Sequence, residues 1–132
     1  MKLENIFRNS LAGIIGFVSP AKKVSKGDLL NLWNEGRIKR ILLVRQNQGI
    51  GDLLLFTPVI RALKEAKKDL LIDLIASPHN FSAVKTNPYL NKIYIWKKSD
   101  IINNLSIISE LRKVNYDMAV AVSSHTPSFT SF

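Results

Sequence analysis

Cysteine is absent from this 132-residue chain, which removes disulfides and thiolate metal ligands from consideration. Their absence fits a reducing compartment. Histidine occurs twice, as His79 and His125, too few for a zinc site without well-placed carboxylates. No apolar run approaches the about 20 residues that a helix needs to cross a bilayer. Acidic residues are scarce, 10 Asp and Glu against 19 Lys and Arg, for a formal net charge of +9. That excess favours an anionic partner: a nucleotide, a phosphorylated glycan, an acidic lipid or a nucleic acid. Nucleic acid ranks last, because no run alternates aromatic and basic residues as single-strand binders do. No low-complexity tract is present. The 46% hydrophobic content and the length set one domain at most, able to bury a core.

The first residues carry two patterns. Lys2 and Arg8 precede Leu11–Val18 and then Ser19-Pro20-Ala21, a faint imitation of a signal peptide. Gly13 and Gly16 break the apolar part and no convincing cleavage site follows, so the segment is read as uncleaved. Leu3, Ile6, Phe7, Leu11, Ile14, Ile15 and Val18 also recur at helical spacing, with Lys22, Lys23 and Lys26 directly after. A basic amphipathic segment over residues 1–26 suits an anionic membrane surface. A helix docked on protein fits the pattern equally. Residues 1–36 are read as this helical segment and 37–132 as the domain proper. Within the first part, Ser25-Lys26-Gly27-Asp28 opens a short helix stopped near Gly36.

From Arg40 the chain alternates. Strands are expected at 40–45, 70–76, 92–96 and 117–122. Between them lie helices from the glycine turn to Lys67, from Ser77-Pro78, and from Ser99 or Asp100. The last of these should turn Ile101, Leu105, Ile108 and Leu111 inward. Near-continuous apolar strands separated by helices predict an α/β fold, a parallel sheet covered on both faces. Ser123–Phe132 reads as a loop and the start of another helix capped near Ser128, which makes the domain look incomplete.

The densest information lies in Arg45–Pro58, RQNQGIGDLLLFTP, a glycine-rich turn between a buried strand and a helix. It is no Walker loop, since Gly51 is followed by Asp52-Leu53 rather than Lys-Ser/Thr. Gly49 and Gly51 fit a dinucleotide fingerprint, but Leu54 replaces its third glycine. Asp73, at the distance of a ribose-binding acid, falls inside its strand. Asp52 has two roles open to it. It can cap a helix beginning at Leu53, in which case Pro58 should kink that helix. Alternatively the helix begins at Thr57-Pro58. Either way a carboxylate at the end of the first strand can accept a proton from a hydroxyl nucleophile within hydrogen-bond reach.

The run IKRILLVRQNQGIGDLLLFTPVIRALKEAKKD resembles the amino-terminal signature of the ADP-heptose:lipopolysaccharide heptosyltransferases, glycosyltransferase family nine. The matching residues are Arg45, Gly51-Asp52, Thr57-Pro58 and Arg61-Ala62-Leu63. Asn87–Trp96 (NPYLNKIYIW) resembles the family's second landmark, and Tyr116–Val122 (YDMAVAV) its fourth strand. The resemblance covers roughly residues 38–125. It implies the acceptor-side, Rossmann-like domain of a GT-B enzyme, inverting and metal-independent, acting on a lipopolysaccharide-type or other surface glycan. Asp52 would then be the general base. No resident cofactor is implied; the nucleotide sugar is a co-substrate held by a carboxyl-terminal donor domain that these residues do not include, so that activity of the chain alone is in question. Such an enzyme would work at the cytoplasmic face of the membrane, on a glycan or glycolipid acceptor.

Around Asp52, Gln46 and Asn47 offer amides to a glycan, and Gly49 and Gly51 permit close approach to the backbone. Arg45 either pairs with an acidic acceptor group or is a solvated strand-end charge. Thr57 and Pro58 look like helix architecture. His125, in the loop after the fourth strand, faces the same end; His79 is a histidine at a surface helix start. Ser, His and Asp are all present, but a Gly-x-Ser-x-Gly elbow is not. The competing function is a non-catalytic, flavodoxin-like module that holds an anionic ligand or partner.

Overall fold

The computed structural model describes residues 22–23, 25–45, 50–121 and 128–131; of these, the side chains of 22–23, 50, 52, 121 and 128–131 are not described. The strands are β1 (Lys22–Lys23), β2 (Arg40–Val44), β3 (Leu71–Ala76), β4 (Lys92–Ile95), β5 (Met118–Ala121) and β6 (Ser128–Ser131). The helices are α1 (Lys26–Asn34), α2 (Ile50–Ala66), α3 (Pro78–Val84) and α4 (Ile101–Lys113). All six strands join one sheet in the order β1-β6-β5-β2-β3-β4. The pairs β2–β3, β3–β4 and β2–β5 are parallel, and β6 runs antiparallel to both β5 and β1.

The four expected strands are therefore present, parallel, and separated by helices. Their order places the second and third on one side of the first and the fourth on the other. This is the Rossmann arrangement rather than a flavodoxin-like one, which would flank the first strand with the second and third. The chain end differs from expectation. Residues 128–131 form a strand instead of a helix start, because β5 offers them an open edge with Val120 opposite Phe129 and Ala119 opposite Thr130. Within residues 1–36, β1 extends the sheet, and Leu29, Leu32 and Trp33 of α1 pack on the core.

Alternation along the strands sends side chains to two cores. Ile41, Leu43, Ile72, Leu74, Met118 and Val120 meet Leu53 and Ile60 of α2 and Val84 of α3. Leu42, Val44, Ile75, Tyr94 and Ala119 meet Ile107, Ile108 and Leu111 of α4. Burial on both faces is why these strands read as continuous apolar runs. The caps are local. Ser25 and Ser77 accept the backbone N–H of Asp28 (3.2 Å) and Asn80 (3.3 Å), and Asp100 accepts that of Asn103 (3.0 Å). Gly36, at φ +71°, closes α1, with Arg37 N–H donating to the Leu32 carbonyl (3.0 Å) and Gly36 N–H to that of Trp33 (3.1 Å). Lys67, at the far end of α2, lies over the Trp33 ring and donates to the Trp33 carbonyl, joining the two helices.

A buried polar cluster ties the amino ends of the strands together. Asp73 is fully buried, and its Oδ2 accepts Arg40 Nη2 (2.8 Å), Arg40 Nε (3.1 Å) and the Tyr116 hydroxyl (2.5 Å). Its Oδ1 accepts Asn91 Nδ2 (2.8 Å). One carboxylate thus connects residues at β2, β3 and the approaches to β4 and β5. Burial, then the hydrogen bond to Asp73, pushes the Tyr116 phenol well above the usual tyrosine range, so it stays a donor. For Arg40, burial opposes the charged form, but the hydrogen bond and charge of Asp73 outweigh it. Beside this cluster, Asp117 Oδ2 accepts the N–H groups of Lys39 (2.8 Å) and Arg40 (2.9 Å) and caps the entry of β2. The ribose role considered for Asp73 is thereby excluded: it faces the sheet interior, with its oxygens already occupied.

Candidate active site

In an open α/β sheet, ligands bind beyond the carboxyl ends of the strands, where neighbouring connections leave in opposite directions. Here that point lies between β2 and β5. The chain leaves β2 through Arg45, whose N–H donates to the Ile75 carbonyl (2.8 Å) and continues the ladder by one residue. The Arg45 side chain is 2% exposed. It is not the solvated strand-end charge that was one of its two expected roles. A guanidinium this deeply buried is held by its surroundings.

Gln46, Asn47 and Gly49 lie outside the described residues, as does His125 in the connection after β5. The helix then begins earlier than either expected start, at Ile50. Asp52 is consequently the third residue of α2, inside its first turn, and not its N-cap. Asp52 still stands at the positive end of the helix dipole. Gly51, just before it, is exposed, and a Cβ there would meet nothing within 4 Å. The fold does not require glycine at this position; the bare backbone leaves the helix start open to a ligand.

Thr57 and Pro58 sit in the middle of α2 rather than at its start. Proline has no N–H for the carbonyl four residues back, which is that of Leu54. The Thr57 hydroxyl donates to that same carbonyl at 2.7 Å. The Thr-Pro pair is therefore a matched unit, in which one side chain satisfies the acceptor that the next residue leaves open. Farther along, Arg61 pairs with Glu65 (2.7 Å) on the exposed side of α2. The two landmark segments meet across a cavity of about 420 Å³, lined by Leu54, Pro58 and Arg61 on one side and Asn87, Pro88 and Tyr89 on the other. Asn87 Oδ1 accepts the Tyr89 N–H (2.9 Å), so this turn too is held within the chain. These motif residues build the helix layer behind the site. Arg45 and the first turn of α2 lie at the carboxyl end of β2.

His79 is exposed in the first turn of α3, as a surface histidine at a helix start. Asn103 and Asn104 carry no motif and were not anticipated. Asn104 is buried and holds Lys97 twice, donating to its carbonyl (2.7 Å) and accepting from its N–H (3.2 Å). Asn103 donates to the Ile95 carbonyl (3.0 Å). Together they fix the turn that leaves β4. No helix among the described residues is long and apolar enough to cross a membrane.

No family model matches the chain. Among curated proteins it is 38% identical over 76 residues to lipopolysaccharide heptosyltransferase 3 of Escherichia coli K12, a match that covers 53% of this chain and 22% of that enzyme. Among solved structures, the glycosyl transferase family 9 protein of Veillonella parvula DSM 2008 superimposes with a TM-score of 0.54 at 20% identity, over 63% of this chain and 25% of that one. The chain thus spans about a quarter of the length of the relatives it matches. The solved structure carries the fold, and the sequence match carries the kinship. The described residues thus have a Rossmann-like α/β fold like that of a glycosyl transferase family 9 protein, and over 76 residues the sequence is similar to a lipopolysaccharide heptosyltransferase.

Proposed function

We propose that the chain forms the acceptor side of a sugar transferase, with Asp52 as the general base. The observation that carries this reading is the placement of Asp52 in the first turn of α2, directly beyond the central strand and next to an open Gly51. In this mechanism the Asp52 carboxylate takes the proton of an acceptor hydroxyl. The hydroxyl oxygen forms its bond to the anomeric carbon as the bond from that carbon to the diphosphate oxygen breaks, with inversion. The donor nucleotide sugar, heptose by kinship with the curated relative, binds a second domain outside these residues. Arg45, Gln46, Asn47 and His125 are assigned to acceptor binding around the same strand ends. A lipopolysaccharide-type acceptor places the reaction at the cytoplasmic membrane face, with residues 1–26 available to anchor the protein there.

The test is transfer from ADP-heptose to a heptose-deficient lipopolysaccharide, measured on the protein as expressed from its own reading frame. Asp52→Asn is expected to lower kcat by about a hundredfold or more while Tm stays within a few degrees. A transfer rate within a few-fold of wild type removes Asp52 from the chemistry. Acceptor binding with no transfer by either protein is the result that a non-catalytic binding module gives.

A further inference from the structure

Exposed apolar side chains gather at one end of the domain. Of eight large apolar residues that stand exposed among the described ones, five lie in the first two turns of α2 or α4: Leu54, Leu55, Ile101, Ile102 and Leu105. Both helices start where a parallel strand ends, so this is the end that bears the candidate site. The α4 group is the most exposed, with Ile102 at 83%. Its exposure is imposed by hydrogen bonding. The pattern of the helix would turn Ile101 and Leu105 inward. Instead Asn104 takes an inward position, because only there does it reach both backbone groups of Lys97, and Asn103 reaches Ile95. The helix is thereby rotated and its three branched apolar residues face out.

The charge around them is net positive. Lys97 and Lys98 are exposed immediately before the helix. Of the two carboxylates of the segment, Asp100 accepts Asn103 N–H as the cap of the helix, and Glu110 pairs with Lys92 at its far end. Protein interfaces deplete lysine from their centres. Lysines beside exposed aliphatic residues match an anionic bilayer, where the chains enter the headgroup boundary and the ammonium groups stay among phosphates. The net charge of +9 acts in the same direction.

We propose that Ile101, Ile102 and Leu105, with Lys97 and Lys98, form a surface by which this domain lies on an anionic membrane. This surface is distinct from residues 1–26 and does not depend on the transfer reaction. It brings the strand ends close to any acceptor anchored in the same bilayer.

The absence of cysteine makes a direct test available. Ile102→Cys and, separately, Ser109→Cys are labelled with an environment-sensitive fluorophore in the full chain. Each is mixed with phosphatidylcholine vesicles that either contain or lack phosphatidylglycerol. The label at position 102 is expected to shift to the blue only with phosphatidylglycerol present, and the label at 109 to stay unchanged. Lys97→Gln with Lys98→Gln is expected to weaken vesicle binding by roughly tenfold or more. Should Ile102→Cys lose its native circular dichroism, Leu105→Cys supplies the second position. Co-sedimentation of the chain with no shift at 102 or 105 assigns the binding to another segment and overturns the proposal. No sedimentation at all overturns it too. So does a blue shift that grows with protein concentration in the absence of vesicles, which identifies a second copy as the occupant.

Discussion

The two ends of the sheet are built on opposite principles. At the amino ends, Asp73 accepts four hydrogen bonds from three residues, and Asp117 caps the entry of β2. Every one of those acceptors is turned toward its own chain. At the carboxyl ends, Gly51 is bare, Asp52 stands in the first turn of α2, and Ile102 projects into solvent. The contrast separates a region where polar groups are paired across strands from one with a bare glycine and exposed apolar side chains. Buried polar groups favour the fold only when all are satisfied, so a complete cluster belongs where nothing binds.

The largest break in that contrast is Asp73→Ala. It strips the partner from a buried guanidinium, a phenol and an amide at once. A loss of about 3–5 kcal/mol in unfolding free energy, read by urea denaturation, is expected. A loss below about 1 kcal/mol would mean that the cluster is incidental.

Tyr116→Phe should cost less, about 1.5–3 kcal/mol, because one hydrogen bond to a charged group is removed while the ring remains. It also has a pH signature. The folded phenol titrates above its unfolded value, so its contribution is complete below pH about 10 and declines as pH rises beyond that. Wild-type stability is therefore expected to fall at alkaline pH through this group, and the variant to lose that component of the slope. Equal slopes in the two proteins would remove Tyr116 as the cause.

Gly51→Ala is the smallest perturbation and the sharpest comparison between the ends. Alanine fits the space and is the better helix former, so stability should hold or rise by about 0.5–1 kcal/mol. Acceptor binding, followed by calorimetry with the same lipopolysaccharide, should weaken. A variant that is both more stable and binds equally well would show that the open helix start is not used.

The strands, their direction and most caps were legible along the chain, because local chemistry decides them. Leu71–Ala76 could hardly be anything but a buried strand, and Ser77-Pro78 announces a helix with little regard to its surroundings. The misreadings share a cause: in each, a distant or unpatterned partner overruled a local preference. Ser128 carries a cap residue's identity, yet the edge of β5 drew it into the sheet. Thr57-Pro58 imitates a helix start, although the hydroxyl satisfies the Leu54 carbonyl and lets the helix run through. Ile101 and Leu105 fit an inward face that Asn104 occupies instead. At the candidate site, the sequence placed Asp52 beyond the carboxyl end of the first parallel strand, where it stands, but misplaced it relative to the helix by a few residues.

By itself, then, the sequence determined the α/β class, the resemblance to family-nine glycosyltransferases and the place of Asp52 after the first parallel strand, since periodicity and short motifs are local quantities. Tertiary structure alone decided the strand order, the burial of Arg45, the closed cluster around Asp73 and the outward turn of Ile102. Each of these depends on which groups meet across long stretches of chain, and a buried polar atom takes whichever partner completes its hydrogen bonds.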